Sequence, residues 1–226
     1  MVEKLEIKIP STLMDVTIGQ YQRFIKETEG ITDEAIIESK VITIFCGITM
    51  QQLRLLKSNQ VQDILTRLNP LIDSFDTPQP FTHRFSVDGV EYGFITNLEQ
   101  DITYGENKDI TSRMSEGADS FHKAMAILYR PIIRTSNDTY AIDEYKVPVK
   151  HEDALKEMPL AIMLGAQVFF WNLTKELLMH IPNYLVKEMG EEKYKEMMKK
   201  VSINPIGGAM TKSSASLKET LEDLMK

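Results

Sequence analysis

Asp15-Val16-Thr17-Ile18-Gly19-Gln20-Tyr21 near the N-terminus and Asp101-Ile102-Thr103-Tyr104-Gly105-Glu106-Asn107 in mid-chain are two versions of one helix-start signature. In each, a Thr is followed three residues later by Gln or Glu. The hydroxyl can accept from the third helical N–H while the longer side chain reaches back to the Thr N–H, which satisfies two donors that the first turn leaves orphaned. Losing such a cap costs roughly 0.5–2 kcal/mol. Thr17, Gln20, Thr103 and Glu106 are therefore structural caps, and each opens a helix after a strand-like segment. The recurrence has a geometric consequence: a strand-turn-helix unit used twice should superpose on itself and lie side by side or about a pseudo-two-fold axis, whereas two independent good caps need not.

Outward from these segments, helical periodicity dominates. Ile18, Tyr21, Phe24 and Ile25 share one face, Val16 can staple onto Tyr21, and Gly30 closes the helix. A second helix spans about 33–46, apolar through Ile36, Ile37, Val41, Ile44 and Phe45, with Gly47 at its end. Thr49 and Gln52 form a third capping box, and Val61, Ile64, Leu65 and Leu68 mark a fourth helix that Pro70 ends or kinks. Residues 76–80 read as a linker. Phe81, His83, Phe85 and Val87 then alternate up to Asp88-Gly89, a pair suited to a type I′ turn, with return through Val90, Tyr92 and Phe94. The helix from Tyr104 to about Met114 is polar. The next, through Phe121, Met125 and Leu128, is stopped by Pro131, and Tyr140 with Ile142 suggests a short strand. Pro159 suits the first turn of a central helix running to about 180, where Ala161 and Gly165 form a small-residue face open to another helix.

The fold class expected is mainly α (α+β): a helical bundle with an N-terminal strand and a central β-hairpin. Residues 1–75 and 76–201 form one compact unit, and 202–226 a flexible tail. In that tail Ser216 and Glu219 cap a last turn whose Leu217, Leu221, Leu224 and Met225 line one face, a set suited to docking in a partner's groove.

Bulk properties limit the chemistry. The chain has 226 residues, 42% of them hydrophobic, and a net charge of −7, which argues against nucleic acid as the main ligand because such binding leans on Lys and Arg. The lysines of 193–200 alternate with Glu191, Glu192 and Glu196 and read as a solvated face. One cysteine, Cys46, sits in an apolar run and reads as an inert core thiol. Residues 1–10 alternate Leu5, Ile7 and Ile9 with charges, which reads as a strand and not as a signal peptide, and the apolar stretch 159–171 is shorter than the roughly 20 residues a bilayer needs.

Candidate chemistry is sparse. His83, His122, His151 and His180 lack the pairings of zinc sites, and no serine lies in a Gly-x-Ser-x-Gly elbow. Glu99, Asp101, Glu106 and Asp109 fit no cation loop or glycosidase pair and read as solvated surface. Of the thirteen methionines, Met125, Met158 and Met163 fall at core spacings, while Met197, Met198, Met210 and Met225 suit contact with a partner. The sequence thus offers no catalytic residue, no metal ligand and no cofactor site.

Six segments carry a resemblance: Ile9-Pro10, residues 15–21, Ile44-Phe45-Cys46-Gly47, Gly89-Val90-Glu91-Tyr92-Gly93-Phe94-Ile95, Ala126-Ile127-Leu128-Tyr129-Arg130-Pro131-Ile132 and Phe169-Phe170-Trp171-Asn172. Together they resemble a family of small tailed-bacteriophage proteins from the structural gene module, some described as tail assembly chaperones. The resemblance covers most of residues 5 to about 184. It implies a non-enzymatic assembly protein whose partners are phage structural or tail proteins, or a second copy of itself. Such a protein works in the cytoplasm of the infected bacterial host, bound to neither membrane nor nucleic acid. The first alternative is a virion component, a head-to-tail ring or tail subunit that locks onto its neighbour through the C-terminal arm and resides in the particle. The second, disfavoured, is an enzyme using the acidic cluster. One departure from the family pattern is Asn107, where an aromatic corresponding to Tyr21 is expected.

Overall fold

The structure, a computed structural model, describes residues 6–95, 102–137 and 139–180. Its elements run α1 (Ile18–Thr28), α2 (Glu34–Phe45), α3 (Met50–Arg54), α4 (Ser58–Asp73), β1 (Arg84–Val87), β2 (Val90–Phe94), α5 (Tyr104–Ser115), α6 (Phe121–Leu128), β3 (Tyr129–Ser136), β4 (Thr139–Ile142) and α7 (Leu160–His180), with short 3-10 turns at Ser74–Asp76, Ala118–Ser120 and Ala154–Glu157. The class is mixed α+β. Among the described residues the helices are joined by a four-stranded antiparallel sheet of order β1-β2-β3-β4. One buried cluster extends from Leu13 to Phe170, so 1–75 and the described part of 76–201 share a core.

The capping boxes expected at Thr17, Thr49 and Thr103 form, and the one expected at Ser216 and Glu219 lies outside the described residues. Thr17, Thr49 and Thr103 each accept from the N–H three residues on, and Gln20, Gln52 and Glu106 each accept from the Thr N–H. Gly30 and Gly47 take left-handed φ angles of 72° and 65°, as chain reversal after α1 and α2 requires. At the β1–β2 turn, Asp88 and Gly89 have φ 49° and 77°, the positive pair of a type I′ hairpin. Met125, Met158 and Met163 are fully buried, as their spacing predicts.

The structure departs from expectation at several points. Residues 6–10 form no strand. The start of α1 is held instead by main-chain bonds to the start of α7: Ile18 N–H donates to Met158 O at 2.9 Å, Leu160 N–H to Val16 O at 2.8 Å, and Ala161 N–H to Leu13 O at 3.1 Å. Pro70 does not end its helix, since α4 continues to Asp73. The α6 helix does stop ahead of Pro131, but the chain passes from Leu128 straight into β3, which sequence reading missed because Pro131 looks like a breaker. A proline is tolerated there because β2–β3 pairing reaches Pro131 opposite Tyr92 and goes no further, so no ladder N–H is lost within it. Pro131 O still accepts from Asp143 N–H at 2.9 Å. The weak strand at Tyr140 and Ile142 is real, and it makes the hairpin part of a four-stranded sheet.

Gly165 serves a purpose other than helix packing. A Cβ built on it would lie 2.4 Å from Pro80 O, so the segment joining α4 to β1 crosses α7 where the helix has no side chain. That crossing seats Phe81 flat on Phe169, with ring centroids 4.2 Å apart, and edge-on to Phe94 at 4.8 Å. Gly93 makes a similar close approach to Tyr140, whose hydroxyl donates to Phe94 O at 2.7 Å. Among the described residues, no helix is long and apolar enough to cross a membrane.

Gly165→Ala should destabilise the fold by about 1–3 kcal/mol in urea unfolding, because a main-chain oxygen cannot yield as a side-chain tip does. Gly105→Ala, whose Cβ would meet only Thr103 Oγ1 at 3.9 Å, is the matched control and should gain up to about 1 kcal/mol of helix propensity.

Candidate functional site: a cleft beside the first capping box

In two of the three capping boxes, those of Thr17 and Thr103, the third helical residue does a second task. Gln20 Oε1 accepts from Thr17 N–H at 2.9 Å, and its Nε2 donates to Ile44 O at 3.0 Å, filling a carbonyl that the last turn of α2 leaves orphaned. Glu106 Oε2 accepts from Thr103 N–H at 2.7 Å, while its Oε1 lies 3.1 Å from Arg130 Nη1. The partner lies 24 residues on in each case. Each unit is thus a capped helix, a glycine at positive φ (Gly30, Gly117), and a returning helix whose far end is caught by the cap residue of the first. The recurring unit is a helical hairpin, not the strand-turn-helix that the sequence suggested. The two units also touch: Gln22 of α1 donates from Nε2 to Ala118 O at 2.6 Å and to His122 Nδ1 at 2.9 Å.

The second cap corrects the acidic-cluster reading. Glu106 is no solvated carboxylate: its side chain is 2% exposed and that of Arg130 is 9% exposed. Burial pulls the Arg130 pKa below its ordinary value, opposed by the charges of Glu106 and Asp143. Among the described residues, Arg130 Nε has no hydrogen-bond partner. Asp109 accepts from the Tyr145 hydroxyl at 2.6 Å, and burial, with that bond and the nearby carboxylates, pushes the Tyr145 pKa up to about 12. Glu99 and Asp101 lie outside the described residues. Asn107 is exposed where Tyr21 is buried, so the second staple lacks its aromatic half.

The first cap faces a cleft of about 460 Å³, lined by Lys8, Pro10, Asp15, Thr17, Gly19, Gln20, Arg23, Phe45, Cys46, Gly47 and Glu157. Three of the six segments that carry the resemblance contribute to its lining: Ile9-Pro10 and residues 15–21, which are near neighbours in sequence, and the more distant Ile44-Phe45-Cys46-Gly47. The others meet at the sheet, where Tyr92, Gly93 and Phe94 pair with Pro131, Arg130 and Tyr129, and Phe169 packs edge-on to Phe94. Charge in the cleft is mixed, with Lys8 and Arg23 against Asp15 and Glu157. Asp15 is already engaged, because the amides and hydroxyls of Ser11 and Thr12 donate to it and hold its pKa below the usual carboxylate value, the Ser11 amide most of all. Burial pushes the Cys46 thiol up to about 11, so it is protonated at neutral pH and a poor nucleophile.

The histidines are separated. His83 packs edge-on to Phe81, His122 is buried on α6, and His151 Nε2 lies 2.9 Å from Ala126 O. Among the described residues no group of three or more His, Cys, Asp or Glu could hold a metal. The predicted partner-binding residues Leu217, Leu221, Leu224 and Met225 lie outside the described residues, as do Met197, Met198, Met210 and the lysines of 193–200. Comparison with protein-family models, with curated proteins and with solved structures finds no match to this chain.

Sequence reading missed Arg130 and Gln22. Gln22 lies four residues after Ile18, on the apolar face of α1, and Arg130 stands between Tyr129 and Pro131; a polar residue on an otherwise apolar face was the available signal. Glu106→Gln should cost roughly 3 kcal/mol or more in urea unfolding, because it strands a buried guanidinium. Adding Arg130→Met should recover much of that loss. Gln20→Ala, which removes two neutral hydrogen bonds, should cost about 1–2 kcal/mol.

Proposed function

We propose that this protein is a non-enzymatic bacteriophage assembly factor, a tail-assembly chaperone that holds an unassembled tail protein against the cleft beside Thr17 and Gln20. The observation that carries the reading is the convergence of three resemblance segments on that one cleft, with the other three on the β2–β3 sheet core. On this reading, the segments that resemble the phage family build a scaffold and a recess. A non-catalytic role is further supported by the engagement of the acidic groups: Glu106 is committed to Arg130 and Asp109 to Tyr145. The cleft's mixed charge, with Lys8, Glu157 and the Glu27-paired Arg23 all in its lining, suits a polypeptide segment bearing both signs.

The virion-component alternative draws on a different feature. The β3–β4 hairpin runs past the end of β2, and Ile133 on β3 is 65% exposed, with Val147 beyond β4 at 74%, apolar surface of the kind that subunit contacts cover.

In cells producing the phage, tagged protein should co-purify with a tail protein yet be scarce by mass spectrometry in finished particles. Lys8→Glu combined with Arg23→Glu should lower recovery of that tail protein at least tenfold while leaving the melting temperature within a few degrees. Many copies per particle would instead establish the ring or tail subunit. Failure to associate with any phage protein, in cells or in particles, would overturn both.

A further inference from the structure

Among the described residues, Gln22 makes a buried polar contact across the seam between the two helical hairpins. Gln22 is 7% exposed and His122 4% exposed. The Gln22 amide nitrogen donates one hydrogen to Ala118 O and the other to His122 Nδ1. Because an amide NH₂ only donates, Nδ1 must accept, and the ring is held as the neutral tautomer with its proton on Nε2. The only basic position left on His122 is the one that Gln22 occupies. A proton arriving there sets N–H against N–H. Turning the amide over relieves that clash but aims Oε1 at Ala118 O, acceptor against acceptor. No orientation of Gln22 satisfies both neighbours once His122 is charged.

We propose that Gln22, Ala118 and His122 form a proton-operated latch, in which protonation of His122 at Nδ1 releases α1 from α6 and opens the seam between the hairpins. This stands independently of the function proposed above. The charged groups around His122 are Lys123 on α6, Asp119 in the turn before it, and Asp153 and Lys156 around the Ala154–Glu157 turn. Loss of hydration is the largest influence on the ring; the two lysines add to it in opposing protonation, and the two aspartates favour it more weakly. The His122 pKa falls from 6.5 to about 4. Between those values the unfolded or opened chain carries a proton that the closed one does not, so stability is complete above about pH 6.5 and declines as pH falls towards 4. The span corresponds to a change on the order of 100-fold in the closing equilibrium.

Long-range ¹H–¹⁵N correlation spectra of the full chain should report an unprotonated Nδ1 at pH 7. Amide exchange at pH 4.5, corrected for intrinsic rates, should accelerate in α1 and α2 before β1 and β2. His122→Gln should flatten the stability profile between pH 6.5 and 4. Gln22→Glu, which offers the protonated ring a carboxylate, should raise the His122 pKa above its ordinary value and reverse the slope, so that acid tightens the seam. A ring protonated on Nδ1 at pH 7, titration near 6.5 in the wild-type chain, or one acid profile shared by all three proteins would overturn the latch.

Discussion

The structure depends on a side chain at the third position of a helix bonding in two directions. Gln20 and Glu106 each close their own helix start and then bind the far end of the next helix, which fixes where that helix must stop and how it returns. Apolar packing between two helices is not directional, and in the first pair the Gln20 bond adds to the Lys40–Glu27 ion pair, which ties the middle of α2 to the end of α1 at 2.6 Å. With the second bond, each hairpin has a defined closing point. The neutral version costs little to build. The charged version places Arg130 and Glu106 together out of water, where the pair contributes less to net stability than to specifying one arrangement, since either charge alone would be strongly unfavourable there.

The two hairpins are then set against different surroundings. The first packs at the start of α7 through three main-chain hydrogen bonds and leaves a cleft over its cap. The second ends where β3 begins, so Arg130 belongs to the ion pair and to the sheet at once, opposite Gly93. A similar local unit therefore yields an open recess in one place and a sealed polar contact in the other. The difference lies in the residue that leaves the second helix: Gly47 turns the chain away after α2, whereas Tyr129 carries it into a strand after α6. Gln22 and His122 join the two hairpins across a distance of 100 residues in sequence.

Much of the fold was legible from local rules. Capping boxes, the Asp88-Gly89 turn and helical periodicity act within about four residues, and each fixes backbone geometry with little help from the rest of the chain. The errors fall where a local signal met a longer-range one. Pro131 signals a break, and the helix does end ahead of it, but pairing with β2 turns the same residue into a strand position. The alternation of residues 6–10 signals a strand, and the described residues provide no partner strand for it. Ala161 and Gly165 signal a close approach, and the approach is made by the Pro80 carbonyl in place of a helix.

For the candidate site the division is sharper. Six residues of three capping boxes, the buried and unreactive Cys46, and a composition that points away from nucleic acid follow from the chain alone, because they depend on the hydrogen-bonding capacity, polarity and charge of individual side chains. That Thr17 and Gln20 face a cleft while Glu106 lies buried against Arg130, and that Gln22 meets His122, follows from long-range packing. Those outcomes depend on which groups 24 or 100 residues away arrive within hydrogen-bond reach. The free energy of a carboxylate or an imidazole is set by that neighbourhood: the same Glu is a solvated surface charge beside water and half of a buried ion pair beside Arg130.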